Sequence, residues 1–268
     1  MRMPEAFSST RSRNPRTGAW VSLRDHLRTI LGNDLTAMWA HGGSTSVGDP
    51  AHDGDLDTYI LVSRQPEVVV ARRLEEAEHD LAGRHGIEWD TWYVRTDDAH
   101  GTDPPRHAWR EGRRDTSWAI HRAHWLAGRY VALHGPEPHA IVRPPSWEEL
   151  RSELSRELEH IERHVLEGDT DPYEATYALL NGSRVLHAVD TGNVALSKRE
   201  AGLWALEHLP ARWHPGLEAA LGAYDGQVTA GVIHLLATEM ASFVAWVRAR
   251  LPHPDDRSSD VPPRWSGS

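Results

Sequence analysis

Two short apolar runs, Leu35–Ala40 (LTAMWA) and Leu56–Val62 (LDTYILV), flank a single loop, HGGSTSVGDPAHDGD. Each run is too short for a helix of its own and reads as a buried strand. The loop is dense in Gly, Ser and Asp, residues that turn the backbone. Its last residues lead into the second strand as Asp55-Leu56-Asp57. Residues i and i+2 of a strand share a face, so Asp55 and Asp57 present two carboxylates side by side. Adjacent carboxylates repel one another unless a cation lies between them. Hard divalent cations with oxygen ligands, Mg2+ above all, are the usual occupants, and Mg2+ takes its remaining ligands from water and substrate phosphates. Gly43 and Ser44 lie where backbone N–H groups and a hydroxyl would cradle those phosphates.

A Gly-Gly-Ser run alone is an ordinary turn, and a lone Asp-x-Asp an ordinary solvated strand end. Here both occur between two strands, with Gly54 ten residues after Ser44. A third acid would complete the set. The stretch GIEWDTWYV, residues 86–94, alternates as a strand does and carries Glu88 and Asp90 on one face. In phosphoryl chemistry with two metals, one acid takes the proton of the attacking hydroxyl while the metals stabilise the attacking and leaving oxygens.

The surrounding pattern alternates helix and strand. Residues 20–31 and 66–82 have helical spacing, and 96–107 read as a loop. A helix is expected near 113–127, then a short RYVALHG segment and a Pro-rich break. From Ser146 the character changes. Ser146 with Glu149 and Ser197 with Glu200 are capping boxes, and Asp171-Pro172 with Glu174 is a further helix start. Four or five helices are expected over 146–251, as a bundle. The expected organisation is a flexible arm over 1–16 and an α/β (α+β) domain with a mixed sheet over 17–145. An all-α bundle over 146–251 and a disordered tail over 252–268 follow.

Composition narrows the function classes. The net charge is −10, which argues against a nucleic-acid partner and suits a cationic one. There is no cysteine, so a thiol nucleophile, a disulfide scaffold and a zinc ribbon are excluded. No apolar run approaches the length of a membrane span, and the basic N-terminus lacks the apolar core of a secretory signal, so a cytoplasmic protein is expected. Of the 29 Lys and Arg residues, only Lys198 is lysine. It follows an expected N-cap, where the positive end of a helix already favours anions.

The strand, Gly-Ser, spacer, Asp-x-Asp, strand pattern with a later acid resembles the nucleotidyltransferase superfamily. The stretch from LLNGSRVLHAVDTGNVALSKREAGLW through LGAYDG, within 179–226, is similar to the helical domain of the aminoglycoside adenylyltransferases that modify streptomycin and spectinomycin. VALHGPEP at 131–138 fits the same family, and the resemblance covers roughly residues 20–250. It implies transfer of AMP from ATP to a hydroxyl of a cationic aminoglycoside, with Mg2+ and release of pyrophosphate. It also implies that Ser44 contacts the triphosphate and that Asp55 and Asp57 hold the metal. Asp90 takes the place of the family's catalytic glutamate, at the same distance from the Asp97-Asp98 pair, with Glu88 open as the alternative base. Arg184 and Lys198 would reach the nucleotide phosphates, Tyr224 the nucleotide edge, and Trp109 and Glu174 the second substrate. The chain departs from the family in Gly54, which stands where a serine is usual, and in the segment around Trp109. Two other readings stay open: the same fold acting on a non-antibiotic acceptor, and a nucleotide-binding regulator without catalysis.

Several features read as structural. His160 and His164, four residues apart, read as a solvated helix face, as do His121 and His124. Trp125, Trp204 and Trp246 read as helix-core residues, and the 226–250 helix as a buried member of the bundle. A monomer is expected.

Overall fold

The computed structural model describes residues 15–42, 56–166 and 171–251. The expected arm and tail lie outside them, apart from the first turn of the first helix. Four strands form one mixed sheet in the order β3-β2-β1-β4: β1 (Leu35–Ala40), β2 (Leu56–Val62), β3 (Trp89–Arg95) and β4 (Val131–His134). β1 runs antiparallel to β2 and β4, and β2 runs parallel to β3. The parallel pair needs a crossover, which α2 (Val68–His85) supplies.

The strand pattern sorts side chains onto two faces. On one, Met38, Ile60, Val62 and Tyr93 bury against Leu23, Leu27 and Leu31 of α1 (Pro15–Leu31) and Leu74 and Leu81 of α2. On the other, Ala37, Trp39, Tyr59, Leu61 and Val94 bury against Trp118 and Trp125. Those two tryptophans belong to α4 (Trp118–Leu126); the intervening α3 (Thr96–Ala99) is one turn inside the expected 96–107 loop.

α4 has two apolar faces. Ala119 and Ala123 join the core of the helical half, built from α5 (Trp147–Leu166), α6 (Pro172–Thr191), α7 (Lys198–His208), α8 (His214–Tyr224) and α9 (Ala230–Arg248). The helix starts follow the expected chemistry. Ser146 and Glu149 exchange side-chain-to-backbone hydrogen bonds, and Ser197 and Glu200 do the same. Asp171 accepts from the Tyr173 N–H with Pro172 in the first turn. Gly192, at φ 71°, ends α6 in the left-handed conformation and starts the link to Lys198.

Two expectations change. The last helix starts at Ala230, so Val228 lies before it, exposed. By length and composition α9 is also apolar enough to cross a bilayer, contrary to the sequence reading. Its inner face (Leu236, Met240, Phe243, Val244 and Val247) is buried in the helical core, with Phe243 edge-on to Trp213.

Candidate active site

Strand register decides which acids meet. β2 and β3 pair in parallel with Asp57 level with Asp90, so both carboxylates project from one face of adjacent strands. It is the face that α4 covers. Glu88 precedes β3, and its carbonyl accepts from the Leu56 N–H at 2.9 Å. Its surroundings lie toward α2: it borders a groove of about 340 Å³ with Glu75, Glu78, His79, Trp89 and Arg110.

Gly42 explains the entry to this face. It has φ 80°, and a Cβ built on it would stand 1.8 Å from Asp57 Oδ2, so only glycine lets the chain pass the carboxylate. Next to it, the His41 N–H donates to the Asp57 carbonyl at 3.0 Å. Gly43, Ser44, Gly54 and Asp55 lie outside the described residues. Among the described residues no cluster of three or more His, Cys, Asp and Glu side chains forms a metal site.

A buried polar group stands behind the acids. Asp115 is 3% exposed and accepts from the Tyr59 hydroxyl at 2.6 Å, His121 Nδ1 at 2.9 Å and the Ser117 N–H at 2.9 Å. Burial opposes charge on His121, but Asp115 outweighs it, with Asp57 adding to the pull, and the imidazole pKa is raised. His41, whose ring centroid is 5.0 Å from that of His121, is pushed down to about 3 by burial and by His121 itself. The site therefore sets one charged-competent and one neutral imidazole side by side.

The second group of side chains comes from the helical half. Glu174, Tyr177, Asn181 and Arg184 recur along one stripe of α6 at helical spacing. Arg184 donates to Asn181 Oδ1 at 3.1 Å and meets His124 Nε2 at 3.1 Å. Burial lowers its pKa, Glu157 and Tyr177 raise it, and Arg129 and Tyr224 also act on it. The Lys198 ammonium lies 4.7 Å from the centre of the Tyr177 ring, and the Tyr177 hydroxyl donates to Glu157 at 2.7 Å. Arg129 pairs with Glu200 of the α7 capping box at 2.8 Å, which helps hold that carboxyl down to about 2 against burial. Arg184, Lys198 and Tyr224, far apart in the chain, are thus brought together around Tyr177 and Arg129.

Other assignments fall elsewhere. The Trp109 ring lies tilted against Tyr93, centroids 4.4 Å apart, and donates to Glu75 at 3.2 Å, on the α2 side of the sheet, so it is not brought to Asp57 and Asp90. Tyr93 belongs to the opposite strand face, which is the reason. Glu174 stays with the α6 stripe, 4.0 Å from His164. His121 and His124 are half-buried polar links rather than a solvated face. Of the tryptophans, Trp125 is buried beneath the sheet, while Trp204 and Trp246 are half-buried. Sequence reasoning missed Asp115, His124, Arg129 and Tyr177; the three-four-three spacing of the α6 stripe was the available signal for Tyr177.

Residues 142–253 match the family described as aminoglycoside adenylyltransferase, C-terminal domain. Those residues carry a C-terminal domain of the aminoglycoside adenylyltransferase kind. The family is one of nucleotidyltransferases, and the chain is an enzyme of that class. The fold as a whole is similar to the crystal structure of a spectinomycin adenyltransferase, AAD(9), from Enterococcus faecialis, determined with ATP and spectinomycin. The TM-score is 0.66 at 15% identity, covering 85% of this chain and 98% of the other. At that identity the likeness is one of fold. No curated protein matches the chain significantly. The matched domain of the adenylyltransferase carries Arg184, Lys198 and Tyr224, while the acids come from the sheet.

Proposed function

We propose that this adenylyltransferase moves AMP from ATP to a hydroxyl of an aminoglycoside of the streptomycin or spectinomycin type, with release of pyrophosphate. The carrying observation is that Asp57 and Asp90 stand level on adjacent parallel strands, on the face that α4 joins to the cations of α6 and α7. Asp90 is the base in this reading, because it shares the face of Asp57 while Glu88 borders the α2 groove. Its carboxylate takes the proton from the acceptor hydroxyl, whose oxygen attacks the α-phosphorus in line. Arg184 and Lys198 bind the β- and γ-phosphates and stabilise the charge that leaves with pyrophosphate. Asp57, level with Asp90, brings a hard-oxygen donor that fits Mg2+; Asp57 and Asp55 would hold the ion, which would supply Lewis-acid stabilisation of the phosphates. Gly43 and Ser44 cradle the triphosphate. Trp109 is left out of the acceptor site, whereas Glu174, on the stripe with Arg184, offers a carboxylate to a cationic drug.

The protein is incubated with MgATP and a panel of aminoglycosides that includes streptomycin and spectinomycin, and products are weighed by mass spectrometry. An AMP adduct on one drug, absent with Asp57→Asn, is expected. Absence of any adduct despite Mg-dependent ATP binding overturns the acceptor assignment and favours another acceptor or a regulator.

A further inference from the structure

His124 Nε2 has two neighbours that it cannot serve together. Arg184 Nη2 lies 3.1 Å from it and the Val194 carbonyl oxygen 3.0 Å from it. A guanidinium only donates, so it requires a lone pair on Nε2; a carbonyl only accepts, so it requires a proton there. A doubly protonated ring would satisfy Val194 but set an N–H against Arg184. Burial, with Arg184 next, also holds the His124 pKa well below the usual imidazole value, so the ring is neutral. One neutral nitrogen is either an acceptor or a donor.

The two neighbours belong to the two cation-bearing elements. Arg184 sits on α6, steadied from the other side by Asn181. Val194 sits in the link that leaves α6 at Gly192 and reaches Ser197, the N-cap of the helix that begins at Lys198. The link is otherwise tied by the Asn193 carbonyl, which accepts from His187 Nδ1 at 2.9 Å, and by the Ala195 N–H, which donates to Asn193 Oδ1 at 2.9 Å. His124 of α4 therefore meets both elements.

We propose that His124 is a positioning residue that couples Arg184 to the Lys198 link by exchanging its Nε2 proton state. In one state Nε2 accepts from Arg184. When an anionic polyphosphate draws the guanidinium NH2 away, the tautomer changes, Nε2–H donates to Val194 and the start of α7 is fixed. No bond other than N–H changes: the proton leaves Nδ1 and arrives at Nε2 through solvent. Seating of the arginine and of the lysine helix then reinforce one another in polyphosphate binding. The proposal rests on the reading of Arg184 as a nucleotide-phosphate ligand.

The test follows the His124 ring nitrogens by ¹⁵N NMR on the full chain, before and after saturation with Mg2+ and a non-hydrolysable ATP analogue. The expected result is Nε2 moving from an unprotonated to a protonated shift. Alongside, MgATP affinity and turnover are measured for His124→Phe, His124→Gln and Arg184→Ala. His124→Phe, losing one hydrogen bond to a charged group, is expected to weaken MgATP about tenfold with little change in kcat. His124→Gln, which offers an acceptor and a donor on separate atoms, is expected to recover most of that loss. An unchanged His124 tautomer while Arg184→Ala weakens MgATP overturns the coupling and leaves the phosphate reading intact. Wild-type MgATP affinity in Arg184→Ala overturns the phosphate reading and the coupling with it.

Discussion

Removing the carboxylate of Glu153 should loosen α4 from the helical half. Ser117, the residue before α4, makes no side-chain cap of its own. Its place is taken from α5: Glu153, 4% exposed, accepts from the Ala119 N–H through Oε1 and from the Ile120 N–H through Oε2, each at 2.9 Å. These are two of the four N–H groups that a helix start leaves without partners. Glu153→Ala strands both in a buried place, where no water replaces the acceptor. With a cap worth about 1 kcal/mol and each orphaned buried donor about 1–3, partly overlapping, the cost is about 2–4 kcal/mol. Glu153→Gln keeps one accepting oxygen and turns an amide NH2 toward the other N–H, so one bond of two is lost. Burial first, and Asp115 as well, already push the Glu153 carboxyl pKa up, so losing its charge adds no large penalty. Gln should therefore cost about 1–2 kcal/mol. Guanidinium unfolding midpoints at one pH read the order, and thermal melts should show Glu153→Ala lower by about 5–15 °C. An Ala variant within about 0.5 kcal/mol of the parent, or a Gln variant as damaged as Ala, refutes this account of how α4 is held.

Other expectations follow from single contacts. Asp90→Asn should lower turnover by about 10²–10⁴-fold while Glu88→Gln stays within a few-fold, read by pyrophosphate release; the reverse order would make Glu88 the base. Gly42→Ala forces a Cβ onto the Asp57 carboxylate and should reduce turnover on the order of 10²-fold, with MgATP binding as the companion readout. Burial holds His41 and His107 neutral, with pKa values of about 3. The unfolded chain protonates both near 6.5, so it binds more protons, and stability falls as pH drops below that value toward 3. Each histidine contributes a slope of about 1.4 kcal/mol per pH unit across that window, and His107→Gln should flatten the denaturation curve by one such share.

The elements were legible where local rules are strong. The first two strands coincide with their apolar runs, and the Ser146, Asp171 and Ser197 helix starts follow from side-chain-to-backbone chemistry within four residues. Asp57 and Asp90 were legible as candidates, but their register was not, because pairing between strands is a long-range property. The distance of Trp109 from Asp57 and Asp90 is illegible for the same reason: its neighbour Tyr93 falls on the face opposite Asp90, three residues away. Arg129 carries no local signal, since it sits in a short connection, and the helical spacing that marks Tyr177 does not name its partners, which lie elsewhere in the chain.

The helix that joins the two halves was the hardest to read, and its physics shows why. Trp118 and Trp125 face the sheet, and Ala119 and Ala123 face the bundle, so apolar residues occur on both sides and no single stripe appears. The polar residues between them then look like a solvated face. Arg122 is instead fully buried, bonded to Glu149 and to the Arg143 carbonyl with Trp118 beneath its guanidinium, and His121 and His124 reach opposite groups of functional residues. In a helix enclosed by two cores an ionisable side chain left without any partner is costly. Its histidines therefore lie against Asp115 on one side and against Arg184 and Val194 on the other. The same enclosure that hides the helix from pattern reading gives it contact with both the carboxylates of the sheet and the cations of the bundle.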